Sequence, residues 1–258
     1  MSKTVLSIRG VSHRFGADRD GGTLALAAID LDVPDGQFVA VVGPSGCGKS
    51  TLLSLVAGLR RPTAGELRCD GEPITAPMPR KIGMIFQEAN LLPWLSAVDN
   101  VAFPLKLRRV PKAERREAAR RMLALTGLAG FEDKLPHQLS GGMKQRVAIA
   151  RGLVQDPAVL LMDEPFASLD EQTRMLLGDE LLRIWSETRK TVLFVTHSLN
   201  EAVYLADRVI VLSARPGRIV DDVAVDLPRP RTFAMTSTER FGVLKDRIWQ
   251  HIRRAERP

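Results

Sequence analysis

Short unbroken hydrophobic runs recur along this chain, separated by stretches in which apolar residues follow helical spacing. Phe38-Val39-Ala40-Val41-Val42 has no polar interruption, the pattern of a strand buried on both faces of a sheet. Residues 82–86, 158–162, 191–196 and 209–212 repeat it, while 50–59, 172–185 and 199–206 read as helices. Strands alternating with helices predict a mainly parallel sheet covered by helices, an α/β fold. Upstream, residues 5–9 alternate and 24–33 are largely apolar. Pro34-Asp35-Gly36 marks a turn, and 66–74 carries Asp70-Gly71 as a hairpin signal.

From about residue 89 to 156 the pattern changes. Lys112 to Leu125 reads as a charged amphipathic helix ended by Gly127, and Met143, Val147, Ala150 and Val154 repeat at helical spacing until Asp156-Pro157. This stretch is expected to form a helical subdomain inserted into an α/β domain spanning 1–230. Residues 231–258 form a tail in which Phe241, Leu244, Ile248 and Ile252 predict an amphipathic helix that docks on its own domain.

The composition is that of an ordinary globular protein, 45% hydrophobic and 26% charged, and 5% aromatic residues are too few for a stacking platform. The net charge of +7 falls partly in runs such as Lys112-Ala113-Glu114-Arg115-Arg116-Glu117, which read as a solvated helix face, so no nucleic-acid partner is expected. Cys47 and Cys69 have neither metal-ligand nor disulfide spacing. The start of the chain does not read as a signal peptide, and no apolar run approaches the ~20 residues that cross a bilayer. A soluble protein is expected, one that reaches any membrane through another chain.

Candidate chemistry begins at Gly43-Pro44-Ser45-Gly46-Cys47-Gly48-Lys49-Ser50, followed by Thr51, which satisfies G-x-x-x-x-G-K-[ST] between a buried strand and a helix. Glycines let backbone N–H groups turn inward around a polyphosphate, and the helix N-terminus adds a favourable dipole. Lys49 suits the β- and γ-phosphates of a nucleoside triphosphate, and the Ser50 hydroxyl suits Mg²⁺. Cys47, beside a helix N-terminus, is expected to have a stabilised thiolate, so that alkylating it blocks ATP binding. Downstream, the apolar run 159–162 ends in Asp163-Glu164. Asp163 suits the Mg²⁺ shell and Glu164 the polarisation of an attacking water.

The family follows from Leu139-Ser140-Gly141-Gly142-Met143. This segment resembles the signature motif of ABC ATPases, with Met143 in a place usually taken by glutamine. It is a second anion cradle at a helix start. In that family two subunits meet head to tail and each signature closes over the partner's ATP. The resemblance implies further roles: Gln87 as the Q-loop residue that senses Mg²⁺ and the γ-phosphate, Asp170 of Ser168-Leu169-Asp170 at the dimer interface, and His197 as the switch histidine. Phe15 stands where the family has an aromatic that stacks on adenine; a core aromatic on an N-terminal strand is the competing reading. Met143 is expected to do little harm, because Ser140 and Gly142 supply the donors. The expected fold is thus a P-loop NTPase of ABC type, with an N-terminal antiparallel β-subdomain and the inserted helical subdomain.

Residues 87–94, 99–103, 213–220 and 227–231 are similar to the nitrate, sulfonate and taurine importers of the family. That likeness implies a homodimeric motor, peripheral on the cytoplasmic face of the cell membrane. It would serve a separate permease, and indirectly a solute-binding protein, in uptake of a small anionic solute. Residues 91–103 would build the groove that receives a helix of the permease. An exporter motor, or a repair or translation ATPase, is the alternative. Only 51 residues separate Gln87 from Leu139, too few for the coiled-coil insertion of repair heads.

Overall fold

The computed structural model describes residues 3–16 and 22–255. In chain order its elements are β1 (Thr4–Phe15), β2 (Thr23–Pro34), β3 (Phe38–Val42), α1 (Lys49–Val56), β4 (Ala64–Cys69), β5 (Glu72–Pro73), β6 (Ile82–Ile85), α2 (Ala97–Leu107), α3 (Lys112–Leu125), α4 (Gly141–Leu153), β7 (Val159–Asp163), α5 (Glu171–Thr188), β8 (Thr191–Val195), α6 (Leu199–Leu205), β9 (Arg208–Leu212), β10 (Ile219–Ala224) and α7 (Glu239–Ala255). They form two compact units, residues 1–78 with 189–258, and 79–188.

In the first unit, β2, β1, β4 and β5 lie in that order as an antiparallel sheet. β3 lies between β8 and β9, parallel to both, and β10 adds an antiparallel edge to β9. Every residue of β3 and β8 is buried, which is why β3 is an unbroken apolar run and β8 is one after Thr191. In α7, Phe241, Leu244, Ile248 and Ile252 are buried, and Arg247 and His251 both reach Asp221 of β10.

In the second unit, β6 and β7 pair in parallel. α2, α3 and α4 enclose a separate core of Ala97, Val98, Val101, Leu123, Leu128, Leu139 and Val147, among others. α2 lies within the stretch expected to be helical, at a place where the sequence reading assigned no individual helix. Ser96 caps it by accepting from Asp99 N–H, and the helix runs through Pro104 to Leu107. Asn100, fully buried on α2, satisfies its whole amide on the preceding loop. Its Oδ1 accepts from Leu92 N–H at 2.8 Å, and its Nδ2 donates to the carbonyls of Leu92, Leu95 and Ser96.

Candidate functional site

The parallel registers decide which residues leave the sheet together. Val41 of β3 pairs with Val195 of β8, so Gly43 and His197, each two residues on, emerge from adjacent strands at the same carboxyl edge. Ile85 of β6 pairs with Met162 of β7, and in the second unit Gln87 and Glu164 emerge side by side in the same way. Open α/β sheets bind ligands at carboxyl edges of this kind.

Gly43 to Gly48 connect buried β3 to α1. Gly46 and Gly48 hold φ values of 74° and 102°, which L side chains rarely adopt, and a Cβ at Gly48 would lie 2.6 Å from Leu26 Cδ2. No side chain caps α1, and its first turn carries no acid, so its leading N–H groups have no internal anion to turn to. Lys49 is buried, and its ammonium donates to the carbonyls of Gly43 at 2.8 Å and Pro44 at 3.1 Å, inside the loop. An ammonium, a bare helix start and glycine-walled backbone together fit a polyphosphate. Ser50 and Thr51 occupy the first turn of the helix. Cys47 corrects the sequence expectation: it is fully buried, and burial pushes its thiol up, outweighing the opposite pull of Lys49.

Phe15 ends β1 at 38% exposure, so it is no core aromatic. It meets His13 edge-on, and the Arg60 guanidinium sits 5.1 Å from its ring centre. His197 lies exposed between β8 and α6. Its backbone is fixed on both sides: Thr196 Oγ1 donates to Glu201 Oε2 and accepts from Ser198 N–H, while Ser198 caps α6.

In the second unit, Asp163 closes β7 and Glu164 follows with φ of 45°, unusual for a non-glycine residue and a mark of a position held by its surroundings. Ser140 caps α4 by accepting from Met143 N–H at 3.3 Å, so one donor of the signature cradle is already engaged. The Met143 side chain packs on the helical core, which accounts for an apolar residue there. Gly142 has a packing role beside any binding one, since its Cβ would come within 2.9 Å of Thr173 Cγ2. Asp170 caps α5, accepting from Thr173 Oγ1 at 2.7 Å and Thr173 N–H at 2.9 Å; those bonds hold its carboxyl below the usual range.

Sequence reasoning missed two residues that set the Gln87 segment. Buried Gln145 donates to Phe86 O at 3.4 Å. Arg151 donates to Ala89 O at 2.6 Å and Asn90 O at 2.8 Å, and burial lowers its proton affinity. Neither lies on the stripe of Met143, Val147, Ala150 and Val154 that marks this helix in the sequence, so the pattern did not single them out.

The family model for ABC transporters matches residues 26–167, more than half of the chain. The chain belongs to the ABC transporter family. It is 50% identical over 250 residues to an ATP-binding protein of Brucella abortus, covering 97% of this chain and 94% of that one. It is 43% identical over 249 residues to an aliphatic sulfonates import ATP-binding protein of Bacillus cereus, covering 96% of each. Among solved structures it resembles the ATP-binding cassette MJ0796, a dimer in a post-hydrolysis state bound to ADP and phosphate, with a TM-score of 0.75 and 33% identity over 86% of this chain and all of that one. The chain is thus an ABC ATPase, which binds and hydrolyses ATP, and its α/β architecture is that of the cassette.

Proposed function

We propose that this ABC ATPase drives import of a small anionic solute of the sulfonate, nitrate or taurine kind. Two copies act head to tail at the cytoplasmic face beneath a separate permease, which a solute-binding protein loads. The observation that carries the import reading is the likeness to a sulfonate importer ATPase along 96% of both chains. Among the described residues no helix is long and apolar enough to cross a membrane, in keeping with a permease on other chains.

Lys49 and the amides of Gly43 to Ser50 hold the phosphates, and Phe15 offers its open face to the adenine. Ser50, Asp163 and Gln87 are the oxygen donors that suit Mg²⁺, which supplies charge neutralisation on the phosphates. Glu164 orients the attacking water, and His197 donates to the γ-phosphate. Residues 139–143 close over the partner's nucleotide, with Asp170 at the seam. Nucleotide binding shuts the dimer and hydrolysis reopens it. The loop and helix at 91–103, braced by Asn100, receive a cytoplasmic helix of the permease.

The test is to trap Glu164→Gln with Mg-ATP in native membranes and identify what is recovered with it. A closed dimer with turnover down ~10²-fold or more, bound to a polytopic protein and a solute-binding protein, is the expected result. Wild-type turnover removes Glu164 from its role. Recovery of ribosomes or DNA refutes transport, and a permease without a binding protein points to export.

A further inference from the structure

The segment between β9 and β10 lies against the outside of the phosphate loop. Residues 213–218 are closed on themselves: Ser213 N–H donates to Arg218 O and Ser213 Oγ to Pro216 O, while Arg218 N–H donates back to Ser213 Oγ, all at 2.9 Å. The segment is also stitched to β2. Gly217 N–H donates to Ala25 O at 2.8 Å and Gly217 O accepts from Ala27 N–H at 3.0 Å. It therefore presents a fixed surface to the loop.

Two consecutive peptides of the loop meet that surface by their carbonyls. Arg215 Nε donates to Gly46 O at 3.2 Å, and its guanidinium lies so close that a Cβ on Gly46 would be 2.6 Å from Nη2. Gly217 sits on the Cys47 carbonyl, where a Cβ would be 2.1 Å from the oxygen. In a trans peptide the C=O and N–H point in opposite directions. Holding the Gly46 and Cys47 carbonyls outward therefore turns the Cys47 and Gly48 N–H groups toward the inside of the loop. The Cys47 N–H does reach across it, to Pro44 O at 3.2 Å.

We propose that residues 213–218 form a strap that sets the phosphate loop, with Arg215 and Gly217 as positioning residues for ATP binding. They act through the Gly48 amide and the turn that the Cys47 N–H closes on Pro44 O, without touching the nucleotide. The proposal rests on residues 43–50 being the phosphate cradle.

The experiment compares Arg215→Ala, Arg215→Lys, Gly217→Ala and Lys49→Ala with the wild type in steady-state ATP hydrolysis and in nucleotide-free melting. Arg215→Ala should raise KM for ATP about fivefold, the worth of one exposed charge-assisted bond, with kcat within about twofold and Tm unchanged. Arg215→Lys, which keeps the charge but not the fork, should recover only part of that loss. Gly217→Ala should raise KM at least ~10-fold, because a backbone oxygen must move to admit the methyl. If Gly217→Ala does not fold, the two Arg215 variants carry the test. An unchanged KM in Arg215→Ala, or a KM that worsens only as Tm and kcat fall together, overturns the strap. If Lys49→Ala also retains the wild-type KM, the cradle reading is what fails.

Discussion

Arg231 offers a direct test of which energy dominates in a buried polar contact. Its side chain is buried, and Nη1 donates to the carbonyls of Val203 at 3.1 Å, Tyr204 at 2.9 Å and Ala206 at 2.7 Å, closing the C-terminal end of α6. Burial pulls its guanidinium down to about 10, far below an ordinary arginine. A base whose folded value lies below its unfolded one carries a cost wherever it is charged, here roughly 3 kcal/mol at neutral pH. Arg231→Met keeps the bulk of the stem and releases that cost. It also strands three carbonyl oxygens at a helix end, at about 2 kcal/mol each. The second effect wins by about 3 kcal/mol, and for a chain of this size melting should fall by about 10 °C. Thermal unfolding of the nucleotide-free proteins, followed by circular dichroism, reads this directly, with Arg231→Lys expected in between. If Arg231→Met melts at or above the wild-type temperature, burial of the charge outweighs the three bonds and the reasoning is wrong.

Two further outcomes follow from packing. Cys47 and Cys69 are both buried, so at pH 8 an aromatic disulfide reagent should leave both thiols unreacted for minutes in native buffer and titrate two in urea; rapid reaction of either thiol in the folded protein would contradict its burial. Gly142→Ala drives a methyl toward Thr173 Cγ2, and Thr173 is pinned by its two bonds to Asp170, so the cost should be about 1–3 kcal/mol in urea unfolding. Thr173→Ser removes the opposing methyl and keeps the hydroxyl, so the double variant should be more stable than the sum of the single effects; strict additivity would show that the two side chains do not meet.

The parts of the fold that the sequence disclosed are those where one physical demand acts alone. Strands covered on both faces are near-continuous apolar runs, and β3 and β8 accordingly begin where the runs at 38 and 191 begin. The structure parts from the pattern where two demands compete. β10 reads Ile219-Val220-Asp221-Asp222-Val223-Ala224, an edge strand whose Asp221 faces Arg247 and His251 of a helix far along the chain, so no local pattern marks it. α2 was not assigned as an individual helix, although Ser96 and Asp99 at its start are a capping pair that could have been read. At the site, the phosphate loop and the acidic pair declare themselves because glycine spacing and paired carboxylates have few other uses. Gln145, Arg151, Arg215 and Gly217 do not, because they act on backbone carbonyls distant in sequence, and a carbonyl leaves no trace in the pattern of side chains.

Helix α4 shows why such unannounced residues matter. Its first turn is the signature segment, with Ser140 as cap and Gly142 against Thr173. Farther along the same helix, Gln145 and Arg151 grip the carbonyls of Phe86, Ala89 and Asn90, on either side of Gln87. Sharp kinks in a helix arise at interruptions such as proline. No proline lies between Gly141 and Leu153. The segment around Gln87 is therefore tied to the helix that presents Ser140 by three bonds from side chains to backbone carbonyls. Two motifs more than fifty residues apart in sequence are thus joined through one helix, and a helix that carried the signature but lacked Gln145 and Arg151 would lack these bonds to the Gln87 segment.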